Sequence, residues 1–429
     1  MENLSERDAR HIWHPLTQHQ THPAAWPIQK AEGVYLYDEA GRKYIDAISS
    51  WYTAVYGHCH PEITGPVARQ MQELDQVVFA GFTHRPAVEL AERLLGLLPG
   101  NQEKVFFSDN GSTSVEVAIK MALQYHFNQG KRRQVLLALE EGFHGDTFGA
   151  MSVSGLSVYN GPFQDLSLEV IRLPAPTGKN NEAALEMARK MVAEHAVAAL
   201  IYEPLVQGAA GMRTLDPDGL AAILEVVREA GGLLIADEVM TGFGKTGTHF
   251  ASEQLPLKPD LICLSKALTA GLVPMGLTSC TREVFEAFLG QDTGRGFFHG
   301  HTYTANPLAC RAALAALDLL QSPAIQEGIR HISGQHEAFA RELDGHPMVE
   351  EVRHCGVIFA LDLKVQTDRY SNFRDTLYRF FMDRGVYLRP LGNTVYLLPP
   401  YITAPEELET LYAAIRELLD TLEAGTYAG

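Results

Sequence analysis

The sequence is poor in cysteine and contains no long apolar run. Its five cysteines are scattered without any C-x-x-C pair, which is typical of reduced thiols packed as small hydrophobic side chains. The N-terminus, MENLSERDAR, lacks the apolar segment of a signal peptide, and no stretch approaches the length that crosses a bilayer. We therefore expect a cytoplasmic protein that does not engage a membrane. The cysteines are Cys59, Cys263, Cys280, Cys310 and Cys355.

Positive charge is also scarce, because 35 Lys and Arg residues face 52 Asp and Glu residues and leave a formal net charge of −17. This balance disfavours nucleic acid as a partner, although it leaves room for a local basic pocket. A hydrophobic fraction of 46% is typical of a folded globular chain. At 429 residues the chain exceeds one ordinary core, so we predict two domains.

Four histidines stand close together around Trp13 in the stretch HIWHPLTQHQTHP. Pro15 and Pro23 break any helical register that would align them, and no carboxylate or thiol lies among them. We therefore predict a loop packed by its tryptophan, and no metal site. The histidines are His11, His14, His19 and His22.

Two short apolar runs, residues 233–236 and 261–264, read as strands buried on both faces of a parallel sheet. The first is followed by Asp237 and the second, after Ser265, by Lys266. Open α/β sheets bind ligands at the carboxyl ends of their strands. Either residue alone is more often a solvated loop residue, but pyridoxal phosphate needs both a lysine for its Schiff base and an acidic partner for its pyridine nitrogen.

A second candidate site is the turn at residues 109–113, which joins a predicted strand to a long predicted helix. Free amides at a helix start, a flexible glycine and two hydroxyls make an anion site. The alternative is an ordinary helix start, in which Ser112 or Thr113 forms a capping box with Glu116. The turn is neither a Walker loop nor a dinucleotide fingerprint.

Strands and helices alternate through most of the chain, which predicts a largely parallel α/β sheet with helices on both faces. Residues 34–46 read as a hairpin with its turn at Ala40-Gly41. From about residue 325 the sequence predicts helices that alternate with short strands. We predict a large domain over 61–324 and a small α+β domain over 325–429, on which residues 1–60 dock.

Several motifs resemble a known family over nearly the whole chain. DEVMTGFG followed by Lys266, together with DNGS and FHGDTFGAMS, resembles the fold-type I, pyridoxal-phosphate-dependent class III aminotransferases. HIWHPLTQ, SSWY and LLPPY are similar to the branch that converts 8-amino-7-oxononanoate to 7,8-diaminononanoate in biotin biosynthesis. The resemblance implies small-molecule substrates and a homodimer with a shared active site.

The resemblance implies a role for each matching residue. Lys266 would carry pyridoxal 5'-phosphate and move the proton, which requires a pKa lowered by burial and cationic surroundings. Asp237 would keep the pyridine nitrogen protonated, and Phe143 would stack on the ring. Gln207 would lie near the ring's phenolic oxygen. The phosphate would be bound by Gly111 and Ser112 and by Thr302 of the other subunit.

The acceptor substrate is also expected to have its own residues. Arg389 would bind the oxononanoate carboxylate, because a planar guanidinium suits a carboxylate. Trp51 and Tyr52 would line its hydrocarbon chain, and Gly300 and Tyr396 would border the substrate.

The amino donor is the open question. Relatives that use glutamate carry Q-G-E and a substrate arginine, where this chain has Ala209 and Tyr396. S-adenosylmethionine is therefore the expected donor, but its usual users have other residues at Leu16, Phe143 and Lys245. Alternatives are lysine as donor, another class III omega-aminotransferase, a racemase or decarboxylase of the same fold, and a non-catalytic scaffold.

Overall fold

A computed structural model describes residues 3–155, 161–367 and 372–425. Its helices surround a seven-stranded sheet, and smaller sheets lie toward the two chain ends. The helices of the described residues are Leu4–His11, Pro61–Glu73, Arg85–Leu97, Gly111–Asn128, Phe148–Val153, Asn181–Glu194, Pro217–Glu229, Arg282–Glu286, Pro307–Leu320, Pro323–Glu342, Phe373–Asp383 and Pro405–Glu423, with short turns at Ser49–Tyr52, Gly161–Leu166, Ala251–Gln254, Lys266–Thr269 and Thr293–Arg295.

The seven-stranded sheet is parallel except for Gly276–Thr281, which runs antiparallel to both of its neighbours. The predicted α/β class is confirmed, with this one antiparallel strand inside the sheet. In spatial order the strands are Gln102–Ser108, Gly276–Thr281, Leu261–Leu264, Leu233–Asp237, Val197–Tyr202, Val135–Leu139 and Val170–Leu173.

The two strands that carry the predicted lysine and aspartate are neighbours in this sheet. Leu233–Asp237 and Leu261–Leu264 pair in parallel, with Asp237 opposite Cys263. Every residue of both strands is buried, as their continuous apolar sequence predicts. Asp237 and Lys266 are therefore placed at the same edge of the sheet.

The predicted hairpin near the N-terminus is confirmed by the antiparallel pairing of Tyr35–Asp38 with Lys43–Asp46. Strand Val386–Tyr387, from far along the chain, pairs in parallel with Lys43–Asp46 and completes a four-stranded sheet that begins with Ile28–Glu32. Two further sheets contain Val349–Cys355, Ile358–Leu363 and Thr394–Leu397, and Val206–Gln207 with Arg213–Thr214.

Of the N-terminal histidines, His11 ends the helix Leu4–His11 and the other three follow it. Trp13 is 90% exposed, so the prediction that it packs this loop is wrong. His14 Nε2 lies 2.7 Å from Asp8 Oδ2, so a carboxylate outside the histidine stretch does reach it. Among the residues described, no group of three or more His, Cys, Asp or Glu side chains could hold a metal ion.

No single helix of the described chain is long and apolar enough to cross a membrane. Helices Pro307–Leu320 and Pro323–Glu342 meet the criterion only when taken together, and they are bent by 67° relative to each other.

Candidate active site

The candidate site is built at the carboxyl ends of neighbouring parallel strands. Strand Val135–Leu139 leads to the loop with Phe143 and His144, and Val197–Tyr202 leads to Glu203 and Gln207. Strands Leu233–Asp237 and Leu261–Leu264 deliver Asp237 and Lys266. Because all four strands run in the same direction, their ends meet at one edge, where ligands bind in such sheets.

Lys266 is the first residue of a short turn, Lys266–Thr269. Its φ is positive, at 50°, which is uncommon for a residue other than glycine. Its Nζ lies 5.0 Å from the centre of the Tyr52 ring. Burial lowers the pKa of the Lys266 amine, whereas the charges of Asp237 and Glu203 act to raise it. Lys245 is a cationic neighbour, since the charge of Lys266 lowers its pKa. Of the causes that act on Lys266 itself, burial is the one that favours the free amine.

Asp237 is almost fully buried and both of its oxygens are engaged. Its Oδ2 lies 2.7 Å from Nδ1 of His144, and its Oδ1 accepts a hydrogen bond from the Val239 N–H at 3.1 Å. Sequence reasoning assigned His144 no role beyond flanking Phe143. Its partner is 93 positions away in the chain, so no local pattern could have identified it. The Nε2 of His144 is buried and has no hydrogen-bond partner among the described residues.

The helix Gly111–Asn128 begins at the predicted anion site. Its first amides have no partners within the helix and carry the positive end of its dipole. Ser112 Oγ accepts a hydrogen bond from the Asp146 N–H at 3.3 Å, which joins the two loops. A Cβ at Gly145 would lie 2.1 Å from Ser112 Oγ, so only glycine permits this approach.

The cap of this helix differs from the predicted one. The capping box is formed by Asn110 and Thr113, with the Thr113 N–H donating to Asn110 Oδ1 at 3.0 Å. Glu116 instead binds a neighbouring element, where its Oε1 accepts from the Thr147 hydroxyl at 2.6 Å and the Gly149 N–H at 2.7 Å. The hydroxyl of Ser112 is thus not consumed as the cap.

Phe143 and Gln207 lie on adjacent loops that are tied together. The Phe143 ring is partly exposed, and its N–H donates to Glu203 Oε2 at 3.1 Å. Gln207 is fully buried, and its Nε2 donates to the Glu140 carbonyl at 2.9 Å. Its Oε1 has no hydrogen-bond partner in the part of the chain that the structure describes. The sequence predicts only that Glu203 ends a buried strand, and no role in the site.

Arg389 lies beside the two predicted substrate aromatics. Its guanidinium carbon is 5.0 Å from the centre of the Trp51 ring, which is a cation–π distance. Arg389 also lines a cavity of about 510 Å³ between the N-terminal segment and helix Phe373–Asp383. No carboxylate in the described part of the chain forms an ion pair with Arg389.

The predicted substrate aromatics are held by an unusual turn. Ser49, Ser50, Trp51 and Tyr52 all have positive φ values, between 45° and 72°. The Tyr52 hydroxyl donates to the Tyr396 hydroxyl at 3.1 Å, and both tyrosines are buried. Of these two adjacent aromatics, Tyr52 lies next to Lys266 and Trp51 next to Arg389.

Two predicted residues are not brought to this cluster. Gly300 and Thr302 are exposed, and within this single chain the described contacts of Thr302 include a hydrogen bond from Gln76 Nε2 to its carbonyl at 2.8 Å. Their roles remain predictions that depend on a second subunit.

The three positions that depart from the usual pattern are in different environments. Leu16 is 43% exposed and Phe143 40% exposed, whereas Lys245 is completely buried and donates to the Gly242 carbonyl at 2.8 Å.

The residues present fit pyridoxal phosphate. A half-buried lysine with a lowered pKa and a buried carboxylate are placed at one sheet edge, and a long helix presents its first amides beside them. The unpartnered Gln207 Oε1 and His144 Nε2 are further polar atoms that a bound molecule could satisfy.

Comparisons with known proteins agree with this geometry. The model of the class-III aminotransferase family matches residues 16–419. The chain is 46% identical over 424 residues to the adenosylmethionine-8-amino-7-oxononanoate aminotransferase of Synechococcus elongatus, covering 96% of this chain and 99% of that protein.

Solved structures give the same picture. The crystal structure of the adenosylmethionine-8-amino-7-oxononanoate aminotransferase from Methanocaldococcus jannaschii superposes with a TM-score of 0.90 at 32% identity, covering 96% of this chain and 98% of that one. An amine transaminase from an uncultivated Pseudomonas species, solved in its PLP-bound form, gives a TM-score of 0.89 at 30% identity and covers 95% and 97%. The chain belongs to the class-III aminotransferase family.

Proposed function

We propose that the chain is the aminotransferase that converts 8-amino-7-oxononanoate to 7,8-diaminononanoate in biotin biosynthesis, with pyridoxal 5'-phosphate as cofactor and S-adenosylmethionine as amino donor. The observation that carries the proposal is Arg389, a guanidinium without a carboxylate partner in the described chain. It lies next to Trp51, whose neighbour Tyr52 lies next to Lys266. Such a group suits the carboxylate of an acid whose reacting carbon lies near the lysine.

When bound, pyridoxal 5'-phosphate supplies an electron sink for the carbon that loses its proton. Lys266 would hold the cofactor covalently, and its amine, once the amino donor has displaced it from the cofactor, would accept and return the proton, a task that its lowered pKa favours. Asp237, oriented by His144, would accept a hydrogen bond from the pyridine N–H. Phe143 would cover one ring face, and Gln207 would lie near the phenolic oxygen.

The phosphate would be held by the first turn of the helix Gly111–Asn128. There Gly111 contributes its main-chain amide, and Ser112 contributes its amide and hydroxyl. Thr302 of the partner subunit would add a hydroxyl, which makes a homodimer part of the proposed site.

The acceptor would lie between Lys266 and Arg389. Trp51 and Tyr52 contact its hydrocarbon chain, and the fully buried Tyr396 supports Tyr52 through the hydroxyl hydrogen bond. Gly300 of the exposed loop would border the substrate.

Lysine is the second candidate donor. Leu16 and Phe143 lack the hydroxyls expected of an enzyme that uses S-adenosylmethionine, and this specific difference keeps lysine in consideration. Ala209 in place of glutamate disfavours glutamate itself as donor.

The experiment is product analysis with purified enzyme, pyridoxal phosphate and 8-amino-7-oxononanoate, with each donor in turn. We expect 7,8-diaminononanoate with S-adenosylmethionine. Formation of the product with lysine, and not with S-adenosylmethionine, would make lysine the donor. Absence of product with every donor would refute the proposal. Glutamate serves as the negative control.

We also propose a cytoplasmic location and a division of the chain into three segments. Five free cysteines support a cytoplasmic enzyme. The division into 1–60, 61–324 and 325–429 is supported by the sheet that joins Lys43–Asp46 to Val386–Tyr387.

A further inference from the structure

We propose that Glu203 is a positioning residue for the cofactor ring: its two carboxylate oxygens fix the loop of Phe143 and the loop of Gln207 at the spacing that the ring requires. This inference rests on the proposed function, because it concerns the two residues expected to contact the ring. It assigns Glu203 no contact with the substrate.

The geometry places Glu203 between the two loops. It follows Val197–Tyr202, the strand beside Val135–Leu139, and its side chain is buried. Oε2 accepts the N–H of Phe143 at 3.1 Å, and Oε1 accepts the N–H of Gly208 at 3.0 Å. One oxygen thus binds each loop, next to the residue that would contact the ring.

The two loops are also in close contact elsewhere. Gln207 Nε2 donates to the Glu140 carbonyl at 2.9 Å. A Cβ added to Gly142 would lie 3.6 Å from Gln207 Nε2 and 3.2 Å from His144 Nε2. With this second link, the main chain at 140–143 and the side chain of Gln207 have little freedom to separate.

A carboxylate is the group that this position requires. Both neighbours are N–H donors, so both oxygens must accept, whereas glutamine would turn an NH₂ group toward one of them. Burial raises the pKa of Glu203 to about 7, with Asp237 raising it and His144 lowering it. Lys266 and Tyr52 also face its charge. Among the described residues, Glu203 has no ion pair with a lysine or arginine. Because burying such a carboxylate is destabilising, its presence is poorly explained by stability alone.

The test compares Glu203→Gln, Glu203→Asp and the control Glu238→Gln. Glu238 is a neighbouring buried acid whose oxygens accept from Thr241, Ala251 and Ser252 and do not contact the Phe143 or Gln207 loops. The measurements are made at a pH well above 7, where Glu203 is ionised. For each apo-protein we would measure the thermal midpoint and the dissociation constant of pyridoxal 5'-phosphate by equilibrium dialysis. The visible circular dichroism per bound cofactor reports the orientation of the ring.

We expect Glu203→Gln to raise the dissociation constant about tenfold through the loss of one charge-assisted hydrogen bond. Its circular dichroism band should change, while Glu238→Gln keeps the wild-type band and affinity. Glu203→Asp keeps the charge but is one methylene shorter, so it too should alter the band; it is the deciding variant if Glu203→Gln does not fold.

Wild-type affinity and circular dichroism in both Glu203 variants would overturn the positioning role. The same changes in Glu238→Gln would also overturn it, because they would show a general effect of buried charge. Failure of the wild type itself to bind pyridoxal phosphate would instead refute the proposed function.

Discussion

At the scale of single residues, burial controls the charged groups of the site. Desolvation lowers the pKa of Lys266 and of Lys245, and raises that of Glu203 to about 7. A lysine that is a free amine nearer neutral pH can act as a base, which an exposed lysine cannot do efficiently. The acidic neighbours of Lys266 oppose this effect, so its enclosure is what the chemistry depends on.

We predict that Arg389→Ala raises the KM for 8-amino-7-oxononanoate by about tenfold to a hundredfold, the range expected when a charge-assisted hydrogen-bonded pair is lost. The donor half-reaction should change little, because Arg389 is assigned to the acceptor carboxylate and Lys266 contacts Tyr52 rather than Arg389. Steady-state kinetics with varied acceptor, and single-turnover kinetics with donor alone, measure the two effects.

Arg389→Lys is the matched control for that prediction. It keeps the charge but loses the planar fork, so its KM should fall between the wild-type and alanine values. An alanine variant with the wild-type KM for the acceptor would exclude Arg389 from carboxylate binding.

Lys245→Met should flatten the dependence of stability on pH. Burial holds the folded-state pKa of Lys245 well below 10.5, so the unfolded chain binds the extra proton between these two pKa values. The free energy of unfolding of the wild type therefore rises with pH through this window. Removing the amine removes that rise, and the variant should be as stable as the wild type or more stable at pH 7.

Urea unfolding of the apo-protein at several pH values from 7 to 10 measures this effect. Because the charge of Lys266 also lowers the pKa of Lys245, both proteins carry Lys266→Ala, and the difference between them then isolates Lys245. Equal slopes with and without Lys245→Met would show that Lys245 does not carry the pH dependence.

At the scale of elements, the start of Gly111–Asn128 combines a cap with a binding surface. Asn110 satisfies the Thr113 amide, which leaves the amides of Gly111 and Ser112 available for a phosphate. The close passage of Gly145 past Ser112 then brings the loop that follows Phe143 to the same point.

We predict that Asn110→Ala lowers the free energy of unfolding by about 1 kcal/mol, as loss of a helix cap usually does. It should also weaken pyridoxal phosphate binding, because the frayed first turn is the phosphate site. Chemical unfolding and equilibrium dialysis measure the two effects.

Ser322→Ala provides the comparison for that helix cap. Ser322 caps Pro323–Glu342 through the Ile325 amide at 3.3 Å, on a helix that contributes no predicted site residue. Its loss should reduce stability without changing cofactor affinity. Weakened binding in Ser322→Ala, or unchanged binding in Asn110→Ala, would contradict the phosphate assignment.

At the scale of the whole molecule, the two ends of the chain complete one sheet. Val386–Tyr387 pairs with Lys43–Asp46, so the strand before Arg389 is fixed against the strand before Trp51 and Tyr52. The proposed acceptor residues, more than three hundred positions apart in sequence, thereby follow two adjacent strands.

The homodimer proposal predicts complementation between two defective variants. Lys266→Ala removes the covalent attachment, and Thr302→Asp would place a negative charge against the phosphate of the other subunit's site. A mixed dimer contains one site with both residues intact. Co-expression with two affinity tags should therefore restore activity, up to about half of the wild-type value per dimer.

Each variant dimer, purified alone, is the control for that mixing experiment. If Thr302 served its own chain's site, the mixed dimer would pair one site lacking Lys266 with one site carrying the introduced negative charge, and neither would be restored. Mixed dimers no more active than the two parents would therefore contradict the shared site.

Local sequence was enough to predict the strands that bear Asp237 and Lys266 and the long helix that begins at Gly111, because buried strands and helix starts have local signatures. The family motifs added Arg389 and Phe143 to the expected site. The roles of Gly300 and Thr302 stay predictions, because they require a second subunit.

The partners of these residues became visible only in the folded chain. His144 meets Asp237, and Glu203 joins the loops of Phe143 and Gln207, through contacts between strands far apart in the chain. The source of the lowered Lys266 pKa also emerged there, since burial depends on what the whole fold places around an amine. Local sequence patterns specify elements, whereas desolvation and hydrogen bonding across a sheet edge depend on the packing of all of them.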